Sequence, residues 1–333
     1  MVINPTHIVQ IDDLKSCKDL TISGTGKVVI SSDMRLYVYG DILNNGTIDG
    51  TADGCHLQFC GSTTSQVFEN KGVVTAPLNN LSLNNPNGLS ISSTTGQIKV
   101  LRVNLFWGTI TCSNKLTIGN GGSTYGTVQR GAQAATFPAG SFDISPVFNV
   151  GTGGLNLLYT ISSTEIDMSY EVPSTSGNPP PGYVNYIYID FVTNMTSDIV
   201  VTDSINLVAT TFSIGANKLT VNNRINYYGG TLLGGANSDM VINGINPISI
   251  AVFDELENLT INNPGGVKLD TNLTVNYTLY LINGQFTNRS FLTMEAYSTI
   301  YRSSGYLSSA PTFKNSINLT YSGTSPITTG CEM

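Results

Sequence analysis

One nine-residue phrase, written twice, restricts the fold of this chain more than any other feature. Leu259-Thr-Ile-Asn-Asn-Pro-Gly-Gly-Val267 returns at Leu81 as Leu-Ser-Leu-Asn-Asn-Pro-Asn-Gly-Leu89, with the paired Asn, the Pro and the last Gly at the same offsets. Looser versions stand at Leu20-Thr-Ile-Ser-Gly-Thr-Gly-Lys-Val28 and Tyr186-Ile-Tyr-Ile-Asp-Phe-Val-Thr-Asn194. The first half alternates apolar with small polar residues, the period of a strand with one buried face. The second half stops that strand. Pro cannot donate to a ladder, Asn tolerates left-handed backbone, and Gly takes positive φ without steric cost. The chain must turn a corner and start another strand at Leu89 or Val267.

Two further markers keep phase with the first. Asn114-Lys-Leu-Thr-Ile118 and Asn217-Lys-Leu-Thr-Val221 nearly coincide, and Asn288-Arg-Ser-Phe-Leu-Thr-Met294 reads as a third copy. The intervals from Leu81 to Leu116, from Ile187 to Leu219 and from Leu259 to Leu292 are nearly equal. A closing marker, Leu157-Leu-Tyr-Thr-Ile-Ser-Ser-Thr164, resembles Leu319-Thr-Tyr-Ser-Gly-Thr-Ser-Pro326, and an acidic and an apolar residue follow each Tyr as Glu171-Val172 and Glu332-Met333. Self-similarity on this scale implies an array whose neighbours bury one another's open faces. The expected organisation is one continuous array over 1–333, in approximate blocks 1–77, 78–182, 183–255 and 256–333.

Short strands separated by Asn, Gly and Pro corners leave two all-β architectures, a parallel β-solenoid or a string of antiparallel sandwiches. Two-residue hairpin signals such as Asn45-Gly46 are few, and immunoglobulin landmarks are missing, so the solenoid is favoured. At roughly 20–25 residues per coil and ~4.8 Å per coil, the chain would make about 14 coils in a rod of ~65 Å. Composition agrees: only 11% of residues are charged, 34 are Gly, and 40% are hydrophobic, enough for a core. Net charge of −7 with scattered basic residues argues against nucleic acid as a partner. No apolar run reaches the length of a membrane-spanning helix.

Function is less legible. Block two carries extra length in Gly121-Gly-Ser-Thr-Tyr-Gly-Thr-Val-Gln-Arg-Gly131, expected as a loop or side hairpin with the Phe137-Pro-Ala-Gly140 turn, and in the polyproline-like bridge from Ser174 to Gly182. Extra loops are where a binding site would lie. Phe253-Asp-Glu-Leu-Glu-Asn258 has the only helix-like composition; its Asp254, Glu255 and Glu257 read as a solvated corner rather than a Ca²⁺ or acid–base cluster. The five Cys cannot all pair; they are expected mainly as small apolar residues inside the coil, with a Cys55–Cys60 or Cys17 disulfide as the alternative. His56 fits strand alternation without chemistry. No catalytic, cofactor-binding or metal-ligating set is expected. Trp107 and the pair Tyr227 and Tyr228 are the candidate ligand-binding residues, as platforms for sugar rings.

The succession Val2-Ile-Asn-Pro-Thr-His-Ile-Val-Gln-Ile-Asp12, Asp19-Leu-Thr-Ile-Ser-Gly-Thr25, Gly40-Asp-Ile-Leu-Asn-Asn-Gly-Thr-Ile48 and Leu259–Val267 resembles the large secreted repeat proteins of the Bacteroidetes, adhesin-like solenoids exported by type IX secretion. That resemblance implies a fragment of an extracellular or cell-surface protein, acting as a structural or adhesive segment. Its implied partners are surface glycans or proteins and adjacent repeats of a longer parent chain. The opening residues lack the basic and apolar regions of a signal peptide, so export is expected of the parent. The alternatives are a carbohydrate-active β-helix enzyme, a lyase or glycosidase, which would need converging carboxylates, and a viral fibre or tailspike segment.

Overall fold

The computed structural model describes residues 1–174, 180, 182–323 and 328–333, which leaves most of the Ser174–Gly182 bridge and the end of the second closing marker outside the described residues. The fold is a parallel β-solenoid of about 15 turns. Among the described residues the only helical element is a 3-10 turn, Ser113–Lys115. Every described strand pairing is parallel, which rules out the antiparallel sandwiches.

The chain divides into two compact units, Met1–Thr164 with Ser169–Val184, and Glu165–Met168 with Asn185–Met333. In the first, an early coil consists of Leu20–Ile22, Lys27–Ile30 and Arg35–Val38, one strand per face. Alternation sets the burial: Leu20, Ile22, Val28, Ile30, Leu36 and Val38 all point inward and are fully buried. Each stacks on its counterpart in the next coil, as Leu36 on Leu57 and Leu57 on Leu81. Burying one such aliphatic side chain is worth about 1.5–3 kcal/mol, so these ladders are the main source of cohesion.

Coil length differs between the units. In the second, the inward ladder runs through Ile199, Leu219, Met240, Leu259, Leu279, Ile300 and Leu319 in nearly equal steps, buried throughout except at the half-buried Leu319. In the first, the buried ladder Leu36, Leu57, Leu81, Val103, Val128 and Leu157 has unequal steps. Its shortest, Leu36 to Leu57, matches the second unit, and its longest, Val128 to Leu157, exceeds that by more than a third. The surplus is carried outside the ladder. Gly126–Arg130 is an ordinary coil strand, paired with Arg102–Leu105 on one side and Leu155–Tyr159 on the other. The residues before it and the excursion 131–140 after it form loops, and no side hairpin is present among the described residues. Phe253–Asn258 is not helical either. It lies within the strand Val252–Asn262, with Asp254 at φ +78° where the register shifts. Pairing with the strands on both sides overrides the local helical composition, and the extra residues are taken up as a bulge.

The Asn-Asn-Pro-Gly phrase has the same structure in both units. The second Asn of each pair, Asn85 or Asn263, is fully buried and holds the corner from inside. Asn85 Oδ1 accepts the Asn87 N–H at 2.9 Å, and its carbonyl accepts the Gly88 N–H at 2.9 Å. Asn263 accepts from Gly265 and Gly266 at the same two distances. The amide nitrogens donate to the previous coil, Asn85 to the Thr64 carbonyl at 2.9 Å and Asn263 to the Asn246 carbonyl at 2.8 Å. One coil onward, the chain passes so close that a Cβ at Gly108 or Gly284 would collide with the Asn85 or Asn263 carbonyl oxygen.

The closing marker also repeats as structure. In the first unit Arg130 pairs in register with Tyr159 and its Nη1 donates to Glu171 Oε1 at 2.7 Å, while the Tyr159 hydroxyl donates to the same oxygen at 3.1 Å. In the second, Arg302 pairs with Tyr321, Arg302 Nη1 donates to Glu332 Oε1, and the Tyr321 hydroxyl donates to that oxygen at 3.0 Å. Each Arg also donates through Nε to a carbonyl, of Gly140 or Gly305, at 2.9 Å. Both carboxylates are 1% exposed, and Oε2 of each is buried without a hydrogen-bond partner. These are two copies of one Arg–Tyr–Glu lock that pins a following segment to the two coils before it. Burial raises the Tyr159 hydroxyl well above its ordinary pKa, the Glu171 charge adds to this, and Arg130 opposes it. Burial also acts to raise Glu332, but N–H donors at Gly330 and Glu332, Arg302 and the Tyr321 hydroxyl outweigh it and hold the carboxyl below its usual value.

Candidate functional site

The aromatic candidates have different fates. Trp107 ends the strand Ile98–Trp107 and is half-buried, stacked on Phe137 with ring centroids 4.1 Å apart and planes 25° from parallel. The excursion between Gly126–Arg130 and Ser141–Phe142 carries the Phe-Pro-Ala-Gly turn over the indole, and Asn84 donates to Gln133 of that excursion at 3.0 Å. One face of Trp107 is therefore already occupied. Tyr227 is committed to the scaffold: its hydroxyl accepts the Ala251 N–H at 2.9 Å, and burial raises its pKa. Tyr228 is 64% exposed and faces solvent. Trp107 belongs to the first unit and the two tyrosines to the second, so the structure brings Trp107 together with Phe137 and splits the tyrosine pair between two roles.

A polar groove of about 430 Å³ on the first unit was not anticipated. Its floor is one register row, His56, Asn80, Arg102, Thr127 and Asn156, each residue the Cα partner of the next across successive strands. Arg35 extends the row one coil beyond His56. The loop before Gly126–Arg130 supplies a wall through Tyr125, which is 51% exposed. Asn80 is held by its amide, which donates to the Cys55 carbonyl at 3.0 Å and to Asn79 Oδ1 at 2.7 Å. Arg35 lies over the Tyr37 ring and donates to Gln58 at 3.0 Å. Arg102 is exposed. It forms no ion pair among the described residues, and neither do Lys18, Arg35, Lys99 and Lys115 of this unit, whereas Lys15, Lys27, Lys71 and Arg130 each hold a carboxylate. Arg102 and Arg35 are the unpaired cations on the groove's row. His56 Nδ1 is buried without a partner. Burial, then the charges of Arg35 and Arg102, lower the His56 pKa to about 4, so the ring is neutral at pH 7.

The second unit has a shallow groove of about 530 Å³ over the corners Pro247–Ser249, Pro264–Lys268 and Asn283–Gln285. Corner backbone makes up much of its wall, Tyr306, which is 44% exposed, lines it as well, and Lys268 is already paired to Asp270 at 2.5 Å. Asp254, Glu255 and Glu257 lie along the strand Val252–Asn262, Asp254 exposed and the other two half-buried. Among the described residues no three His, Cys, Asp or Glu side chains group closely enough to hold a metal ion. All five Cys are free. Cys55 is buried and donates through Sγ to the Gly50 carbonyl at 2.7 Å, whereas Cys112 is exposed at a corner with φ +57°, contrary to the expectation of an interior position. Asp143 holds that corner. It accepts the Cys112 N–H at 2.9 Å and the Ser113 hydroxyl at 2.8 Å, and these bonds carry its pKa below the usual value against the effect of burial.

No protein-family model, curated protein or solved structure matches the chain.

Proposed function

We propose that this chain is a structural and adhesive repeat segment of an extracellular or cell-surface protein, of the kind its sequence resembles among the secreted repeat proteins of the Bacteroidetes. The observation that carries the proposal is what the two units share. The buried Asn corners at Asn85 and Asn263 and the locks Arg130–Tyr159–Glu171 and Arg302–Tyr321–Glu332 are scaffold, and they recur with nearly the same hydrogen bonds. A chain whose repeated residues are those that hold coils together is organised to present surface over a rigid support. The adhesive half of the proposal draws on the surface that is not repeated, the long coils of the first unit with their added loops.

The test is co-sedimentation of the purified chain with a panel of insoluble polysaccharides. Saturable retention on at least one glycan is expected, and absence of retention on every glycan would remove adhesion from the reading.

A further inference from the structure

The geometry points to the groove over His56, Asn80, Arg102, Thr127 and Asn156 as a binding site for an acidic polysaccharide, a glycan strand bearing carboxylates. This inference deepens the adhesive reading and rests on it. Three features carry it.

The first is an unneutralised charge where the chain as a whole is acidic. The net charge is −7, yet Arg102 presents its guanidinium at the groove with no carboxylate partner among the described residues, and Arg35 stands on the same row. The positive charges of Arg35 and Arg102 both reach His56. Asp33 lies against Gly54 at the His56 end, where a Cβ on Gly54 would collide with its Oδ1. An anion is therefore directed toward the Arg102 end. A guanidinium with free donors binds a carboxylate through two parallel hydrogen bonds.

The second is the composition of the floor. Around Arg102 stand the amides of Asn79, Asn80 and Asn156 and the hydroxyl of Thr127. These groups donate and accept, as sugar hydroxyls do, and the Tyr125 ring adds an apolar face at the rim against which a pyranose can stack.

The third is shape. Five partners on successive parallel strands span about 19 Å at ~4.8 Å per strand, which suits an extended chain rather than a compact anion. The row lies on a sheet face, so its backbone groups are already paired within the ladder. An acidic peptide adding as a strand would need an open sheet edge instead.

The experiment is calorimetric titration of the full chain with soluble polygalacturonate, with neutral dextran and poly-glutamate as comparisons. The expected result is salt-sensitive binding of polygalacturonate, weakened about tenfold in Arg102→Gln, as befits loss of a charged hydrogen-bonded contact. Tyr125→Ala should weaken it several-fold, and Lys115→Gln, which removes an exposed charge elsewhere on the same unit, should leave it unchanged. Trp107 fluorescence during thermal unfolding checks that each variant is folded; if Arg102→Gln is not, Tyr125→Ala decides. Undiminished binding in the deciding variant, or equal weakening in Lys115→Gln, would overturn the site. Tighter binding of poly-glutamate would overturn the glycan assignment. Retention of neutral glycans without polygalacturonate would overturn the acidic class while leaving adhesion in place, whereas failure with every glycan, soluble or insoluble, would remove both.

Discussion

The two units are built on the same scaffold and differ in how much chain each coil carries. The second repeats at a nearly constant interval along its inward ladder, while the first stretches its steps, most of all between Val128 and Leu157 and between Ile110 and Phe142. The inward residues stack equally well in both. Extra residues leave the coil at its corners and return to the same register, so surface can be added without disturbing the ladder. In the first unit those additions place Tyr125 beside the Arg102 groove and Phe137 over Trp107. The regular unit has a groove rimmed by Tyr306 and a tilted Tyr280–Tyr301 pair, but these residues belong to the coil strands and not to added loops. A solenoid thus separates the residues that make the fold from those free to make a site.

The strongest test of shared scaffolding is the lock. Glu171→Ala should leave Arg130 buried without its carboxylate and cost about 3–5 kcal/mol. Glu332→Ala should cost less, because Tyr321 is 38% exposed where Tyr159 is 1% exposed. Urea unfolding separates the two cases, since Trp107, the only Trp, reports the first unit while circular dichroism reports both. Equal losses would mean that the difference in burial does not matter.

The Asn corners should come next. Asn85→Ala and Asn263→Ala each leave buried backbone groups unpaired, at about 1–3 kcal/mol. Asn85 should be the costlier because its amide also reaches Gln66 at 3.2 Å.

A smaller effect is the response of the locks to pH. Glu332 has a folded pKa below its ordinary 4.5, so its contribution is complete above that value and is lost as pH falls through the folded value. Tyr159 is raised above its ordinary 10, so its contribution is complete below pH 10 and is lost as pH rises through the folded value. Urea midpoints against pH should fall on the acid side less steeply in Glu332→Gln, and on the alkaline side less steeply in Tyr159→Phe. The smallest effect belongs to the exposed pair Lys218–Asp198 at 3.6 Å, where Lys218→Gln should change stability by less than about 0.5 kcal/mol.

Strands and corners were legible because their signals are local. Leu259-Thr-Ile alternates and Asn263-Pro-Gly-Gly turns, whatever the neighbouring coils do. Half of each lock was legible as well, since Tyr159 precedes Glu171, and Tyr321 precedes Glu332, by similar distances. The Arg was not, because it lies one coil earlier and coil length varies: the stretch from Arg130 to Tyr159 is about half as long again as that from Arg302 to Tyr321. The groove escaped for the same reason. Its floor advances by unequal steps, shortest from Asn80 to Arg102 and longest from Thr127 to Asn156, so no period aligns these residues until the register is known. Trp107 and Tyr227 stood out by residue type, but ring stacking and a backbone hydrogen bond already engage them.

The most direct test of this division between scaffold and site is residue-resolved hydrogen exchange with and without polygalacturonate. Added protection along the strands bearing His56, Asn80, Arg102 and Thr127 and in the loop at Tyr125, with the second unit unchanged, is the predicted result. Protection spread over both units, or centred on the corners from Pro247 to Gln285, would contradict it.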